Sequence, residues 1–212
     1  MNPVRKRKSG YPVWIAAGLA ALLAGCAAGP PSNINDICLI FEENPRWYRD
    51  ARDSYERWGV PIPTMMAIIH QESSFRARAR PRRERILGFI PGSRPSTAYG
   101  YAQALDGTWD MYRRETGNRY ARRTRFGDAI DFVGWYCDRS HRRSGISRHD
   151  PYRLYLAYHE GHGGYNRGTH REKQWLLSTA ARVRDRAARY SRQLAGCREG
   201  LESRRKRFLG IF

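Results

Sequence analysis

The chain contains no apolar run long enough to cross a membrane comfortably. The longest, residues 13–25, is built mostly of small side chains. It falls short of the roughly 20 apolar residues that a spanning helix requires. Heptad patterning and internal repeats are missing, which argues against a coiled coil or a solenoid. Cysteine is scarce, with four in 212 residues, and no C-x-x-C or paired-histidine spacing joins them. A metal centre is therefore not expected, and no cofactor is implied. Acidic residues are also few: 20 Asp and Glu face 39 Lys and Arg, a formal net charge of +19. What the chain does have is 41% hydrophobic and 12% aromatic content, too much for general disorder. At about 100–200 residues per domain, its length suits one folded domain behind a leader.

Arg5, Lys6, Arg7 and Lys8 precede the apolar run, which is the layout of a secretory signal. The run closes on Leu23-Ala24-Gly25-Cys26, which resembles the bacterial lipobox. That resemblance implies removal of residues 1–25 and lipidation of Cys26, which would anchor the protein to a membrane. Ala27, rather than an acidic residue, is compatible with the periplasmic face of the outer membrane. Loss of residues 1–25 takes away four basic side chains and no acidic one, leaving +15. Such a field favours a polyanion. Behind an export signal, nucleic acid is not the expected partner; peptidoglycan carboxylates and anionic lipid headgroups are. In an oxidising compartment a bridge between Cys38 and Cys197 would staple the two ends of the domain together, stabilising it by roughly 3–5 kcal/mol. Cys137 reads as a buried thiol, although sequence alone leaves the pairing open.

The body reads as mainly α. Residues 26–36 are the lipidated cysteine and a Pro/Gly/Ser tether, residues 37–198 the domain, and residues 199–212 a basic, frayed tail. Asn44-Pro45 predicts a cap and a helix to Trp58, stopped by Gly59. A second helix runs from Pro63 to Ser73 and buries Met65, Met66, Ile68 and Ile69. Residues 76–97 carry prolines, glycines and many arginines and predict a loop, with residues 86–90 a short strand or hairpin arm. Asp106 is expected to cap a helix to Thr116. Further helices are expected near Asp128–His141, from Pro151 to His159 with the Gly161 cluster as its end, and from Gln174 to Leu194.

Three segments carry chemistry. Ile69-His70-Gln71-Glu72-Ser73-Ser74-Phe75 ends an apolar helix with a carboxylate, where desolvation raises a carboxyl pKa. Ala98-Tyr99-Gly100-Tyr101-Ala102-Gln103 precedes Thr108-Trp109. Ala157-Tyr158-His159-Glu160-Gly161 comes third. Each alone is weak, since a Glu at a helix end is usually a solvated or capping residue. Together and in this order they resemble the lytic transglycosylase family, whose SLT domain has the goose-type lysozyme-like fold. The likeness covers roughly residues 45–165. It departs at His159-Glu160, where Asn-Ala is usual, and in the longer, more basic loop 76–97.

The resemblance implies a peptidoglycan-cleaving enzyme acting on glycan strands, with a non-catalytic peptidoglycan-binding lipoprotein as an alternative; a monomer is expected. Glu72 would be its single acid/base, and the product a 1,6-anhydromuramyl end. It also implies substrate contacts for Ser73, Gln103 and Tyr158, with Tyr158 hydrogen-bonding Glu72 or the sugar acetamido group. Tyr99 and Tyr101 would stack on sugars or fill core, and core is favoured for Trp109. Glu160 stays open between a second, water-activating carboxylate of a lysozyme-type hydrolase and an ordinary ion-paired side chain. His159 and His162 bind substrate carboxylates or only pack, and His70 is expected to be a satisfied structural residue.

Overall fold

The computed structural model describes residues 29–83, 85–86 and 90–208. The leader and Cys26 lie outside them. The fold is mostly helical: α1 (Ile37–Glu43), α2 (Pro45–Trp58), α3 (Ile62–Ser73), the hairpin β1 (Arg85–Ile86) and β2 (Ile90–Pro91), α4 (Asp106–Thr116), α5 (Phe126–Ser144), α6 (Pro151–Arg167) and α7 (Gln174–Phe208). The two strands pair antiparallel, Ile86 against Ile90, inside the loop expected to hold a hairpin arm.

α3 is the central helix. Ile62, Thr64 to His70 and Ser73 are all buried, so apolar residues cover nearly its whole circumference. A helix of that kind has to be surrounded, and α2, α5 and α7 pack around it. The α2–α5 contact is close at Gly134, where an added Cβ would fall 2.5 Å from Ser54 Oγ and 2.7 Å from the Trp58 ring. Asp131 ties three helices: Trp58 Nε1 of α2 (2.7 Å) and Tyr112 Oη of α4 (2.7 Å) both donate to its carboxylate on α5. Trp47 stacks on Phe126 at 4.0 Å, with Tyr101 edge-on to both.

Several boundaries differ from the sequence expectation. α1 is an additional helix, capped by Asp36, whose carboxylate accepts from Cys38 N (2.8 Å) and Leu39 N (3.2 Å). Asn44 makes no side-chain cap for α2; its Nδ2 instead donates to Ile40 O at the end of α1. Asp106 is the first residue of α4, not its cap. The helix from Pro151 breaks at Gly161 (φ 72°, ψ 157°), where the glycine cluster was expected to end it, and a second helical stretch continues to Arg167. α7 continues through the expected tail, because Leu201 is buried and Glu202 accepts from Tyr48 Oη at 2.8 Å. Cys38 and Cys197 are disulfide-bonded, with Cα atoms 6.1 Å apart, and Cys137 is a buried thiol. Among the described residues no helix is long and apolar enough to cross a membrane.

Candidate active site

Glu72 occupies the last turn of α3. Pro61, Ile62 and Pro63 start this helix, and Ser74 ends it in the left-handed region (φ 50°), its N–H bonded to His70 O. Phe75 is also left-handed (φ 59°) and fully buried, its ring 5.8 Å from Trp47. Two consecutive non-glycine residues in that region cost roughly 1–3 kcal/mol each and persist only where packing enforces them. Here the seat of Phe75 in the core sets where α3 stops, and so where Glu72 stands.

The carboxyl of Glu72 lies deep among protein atoms, yet part of the residue's surface stays accessible. Burial pushes its pKa up from 4.5 to about 7, against a hydrogen bond from the Tyr155 hydroxyl that lowers it. Its place in the helix's last turn, at the negative end of the dipole, also opposes ionisation. A carboxyl held near pH 7, desolvated but reachable, can give up and take back a proton. The same burial, and the nearby Glu72, push the Tyr155 hydroxyl well above its ordinary range, so it remains a donor.

Tyr155 was not among the residues singled out by sequence. It lies three residues before Tyr158, one helical turn back on α6, and that i−3 spacing was the available signal. Tyr158 is close enough to feel the charge of Glu72, but its hydroxyl donates to Ala102 O at 2.6 Å. The hydrogen bond to Glu72 expected of Tyr158 thus belongs to Tyr155, and Tyr158 instead clamps the 99–104 turn beside the acid.

That turn is tightly specified. Tyr99 N bonds Ala104 O, Gly100 has φ 81° and Gln103 φ 46°. A Cβ on Gly100 would sit 2.1 Å from Arg123 O, so only glycine fits. The Gln103 Nε2 expected to bind sugar amides donates to Ala79 O (2.9 Å) and Gly100 O (2.8 Å), bracing the turn against the 76–97 loop. Tyr101 is 4% exposed and packs on Trp47 and Phe126, which places it in the core rather than on a sugar. Trp109 is also core. Tyr99 remains on the surface side, with Arg80 4.2 Å and Arg123 5.4 Å over its ring. Ser73 is 2% exposed, its hydroxyl bonded to Ile69 O at 3.2 Å within α3.

Glu160 belongs to a different cluster. Its carboxylate accepts from Lys173 Nζ (2.8 and 2.9 Å), Thr169 Oγ1 and His159 Nδ1 (3.2 Å). Burial by itself would raise its pKa; these donors outweigh that and hold it down to about 2. The carboxylate is ion-paired across the α6–α7 connection and is not poised to take a proton from water. Asp50 is raised to about 6 by burial and by Asp53, but it sits beside Gly127 at the start of α5. His162 stacks on Tyr136 at 4.6 Å with Nε2 3.0 Å from Ser140 Oγ, and His159 packs edge-on to Trp175. His70 is buried beside Phe75 and Tyr190, and its Nε2 lacks a partner among the described residues. Burial, helped by Arg186, pushes it down to about 4, so it stays neutral. A cleft of about 730 Å³ lies at the opposite end of α3, lined by Arg52, Pro61, Thr64 and Glu202 among others; it contains no residue of the three segments. No group of three His, Cys, Asp or Glu among the described residues could hold a metal ion.

A family model described as Transglycosylase SLT domain matches residues 14–197. The chain belongs to that family. No curated protein and no solved structure gives a match. The SLT domain is of the lytic transglycosylase type and acts on peptidoglycan in the cell envelope.

Proposed function

We propose that the protein cleaves the β-1,4 bond between N-acetylmuramic acid and N-acetylglucosamine and leaves 1,6-anhydromuramyl ends, with Glu72 as its only acid/base. The observation that carries this reading is the solitude of Glu72. Among the described residues, the influences on its proton are burial and Tyr155, with no second carboxylate among them. Glycosidases ordinarily need two carboxylates, either about 5 Å apart or with room for a water between them. A lone acid favours a route in which the substrate supplies the rest. Protonated Glu72 donates to the glycosidic oxygen, and the bond to muramyl C1 breaks. The substrate's own N-acetyl group stabilises the cationic C1. Glu72, now ionised, removes the proton from the muramyl C6 hydroxyl, whose oxygen closes on C1. The proton lost in the first half is regained in the second, and no water is consumed.

A carboxyl pKa of about 7 suits both halves, since it can donate and accept near neutrality. Tyr155 steadies the ionised form between them. The hydrolytic alternative loses its second carboxylate, because Glu160 is engaged by Lys173, Thr169 and His159. We place the mature protein on the periplasmic face of the envelope, held by lipid at Cys26. The basic segment, apolar run and lipobox-like end, in that order, support this. Mass spectrometry of digested sacculi tests the chemistry. Anhydromuramyl ends from wild type and none from Glu72→Gln are expected; reducing muramyl ends would overturn it.

A further inference from the structure

Arg80, residues 94–99 and residues 106–124 carry a surface rich in arginine. Two clefts open on it, of about 540 and 510 Å³, and they share Tyr99, Asp106 and Arg123 as a common wall. Arg80 lines the first, lying 4.2 Å over the Tyr99 ring, and Arg122 lines the second. Both guanidinium groups are exposed, and among the described residues neither has a carboxylate partner. This contrasts with Arg123, which is paired with Asp106 at 2.6 Å, and Arg113, which is near Asp110 at 3.4 Å. Among the described residues the surface therefore offers cations without a carboxylate partner, interleaved with acids.

The clefts are joined to the candidate active site by the same short turn. Tyr99 forms their shared wall, and three residues later Ala102 O takes the hydroxyl of Tyr158 beside Glu72.

We infer that the two clefts around Tyr99 bind the peptide stems attached to muramic acid, with Arg80 and Arg122 taking their carboxylates, so that the enzyme prefers peptide-bearing glycan over bare glycan. The inference rests on the peptidoglycan-cleaving reading above. A stem peptide carries carboxylates and, on its diamino residue, an ammonium group. Arginine forks suit the carboxylates, and the half-exposed Asp106 and Asp110 suit the ammonium. A sheet of anionic lipid headgroups would meet those same two acids as repulsion. A concave, mixed-sign surface thus favours a zwitterionic peptide over a membrane.

The test compares Michaelis constants on glycan strands with peptides intact and on strands stripped by an amidase. Wild type is expected to show the lower KM on peptide-bearing strands. Arg80→Glu with Arg122→Glu should shrink that preference by roughly threefold to tenfold, the worth of two exposed ion pairs replaced by repulsion. Arg80→Gln with Arg122→Gln should shrink it less, and retained near-UV circular dichroism would show that each variant folds. Equal KM values for wild type on both substrates, or an equal rise on both in the variants, overturns the inference. Sedimentation of the Glu72→Gln protein with intact and stripped sacculi reads binding without turnover. If wild type cleaves neither substrate, the catalytic reading fails, while peptide-dependent, arginine-dependent sedimentation would still support the clefts. Arginine-dependent binding to anionic vesicles with sacculus binding unchanged would assign the surface to a membrane and overturn the proposal.

Discussion

Glu72→Gln should stabilise the protein in alkali and leave its stability nearly unchanged in acid. The raised pKa means that the folded protein holds a proton on Glu72 which the unfolded chain releases above its ordinary value of 4.5. Below that value Glu72 is neutral in both states. As pH climbs towards about 7 the unfolded chain binds fewer protons than the native one, so stability falls. Above about 7 the native carboxyl ionises as well and the loss levels off. At 1.36 kcal/mol per pH unit, the displacement from 4.5 to about 7 corresponds to about 3 kcal/mol of native stability given up between pH 4 and pH 8. Glutamine keeps the shape and can still accept from Tyr155, but it has no proton to lose. The variant should therefore match wild type within about 1 kcal/mol at pH 4 and exceed it by about 3 kcal/mol at pH 8. For a domain of this size that is roughly 6–12 °C in Tm. Urea denaturation of both proteins at pH 4, 6 and 8 measures it. A difference that stays constant across these pH values would refute the desolvation of Glu72 and, with it, the physical basis for its role.

Tyr155→Phe removes the donor that lowers the Glu72 pKa. A hydrogen bond to a charged group is worth about 1.5–3 kcal/mol, so the alkaline limb of kcat/KM against pH should move upward by about one unit or more, with a lower plateau; a limb that stays put or moves down would remove Tyr155 from the mechanism. Glu160→Gln should leave the anhydro product unchanged and cost about 1–3 kcal/mol of stability, because Lys173 loses its partner; a change of product from anhydro to reducing ends would restore Glu160 to the chemistry. In that same cluster the depressed pKa means its stabilisation is present above 4.5 and lost as pH falls towards about 2. Replacing Cys38 and Cys197 together by Ser should lower unfolding free energy by up to about 5 kcal/mol, since their sequence separation is 159 residues; a loss under about 1 kcal/mol in oxidised protein would mean the bridge does not hold the ends.

By itself the sequence determined the helical class and the place of Glu72. Apolar periodicity, Pro starts and Gly stops are local signals, and they marked α2, α3 and α4 closely. The order of the three segments carried the family, because spacing along the chain is enough to hold that information. Tertiary structure decided what each polar side chain touches. Whether Tyr155 or Tyr158 meets Glu72 depends on how α6 is rotated against α3, which no local pattern records. Gln103, Tyr101 and Glu160 look like ligand residues in a line of letters. In the fold the first braces a turn, the second fills the core and the third is clamped by Lys173. The far end of α7 is invisible for the same reason: Leu201 is buried there, and Glu202 meets Tyr48 and Arg52 of α2. Glu72 itself stands out through the three segments in order, but its raised pKa exists only because the surrounding helices close over that end of α3 and leave Tyr155 as its hydrogen-bond donor.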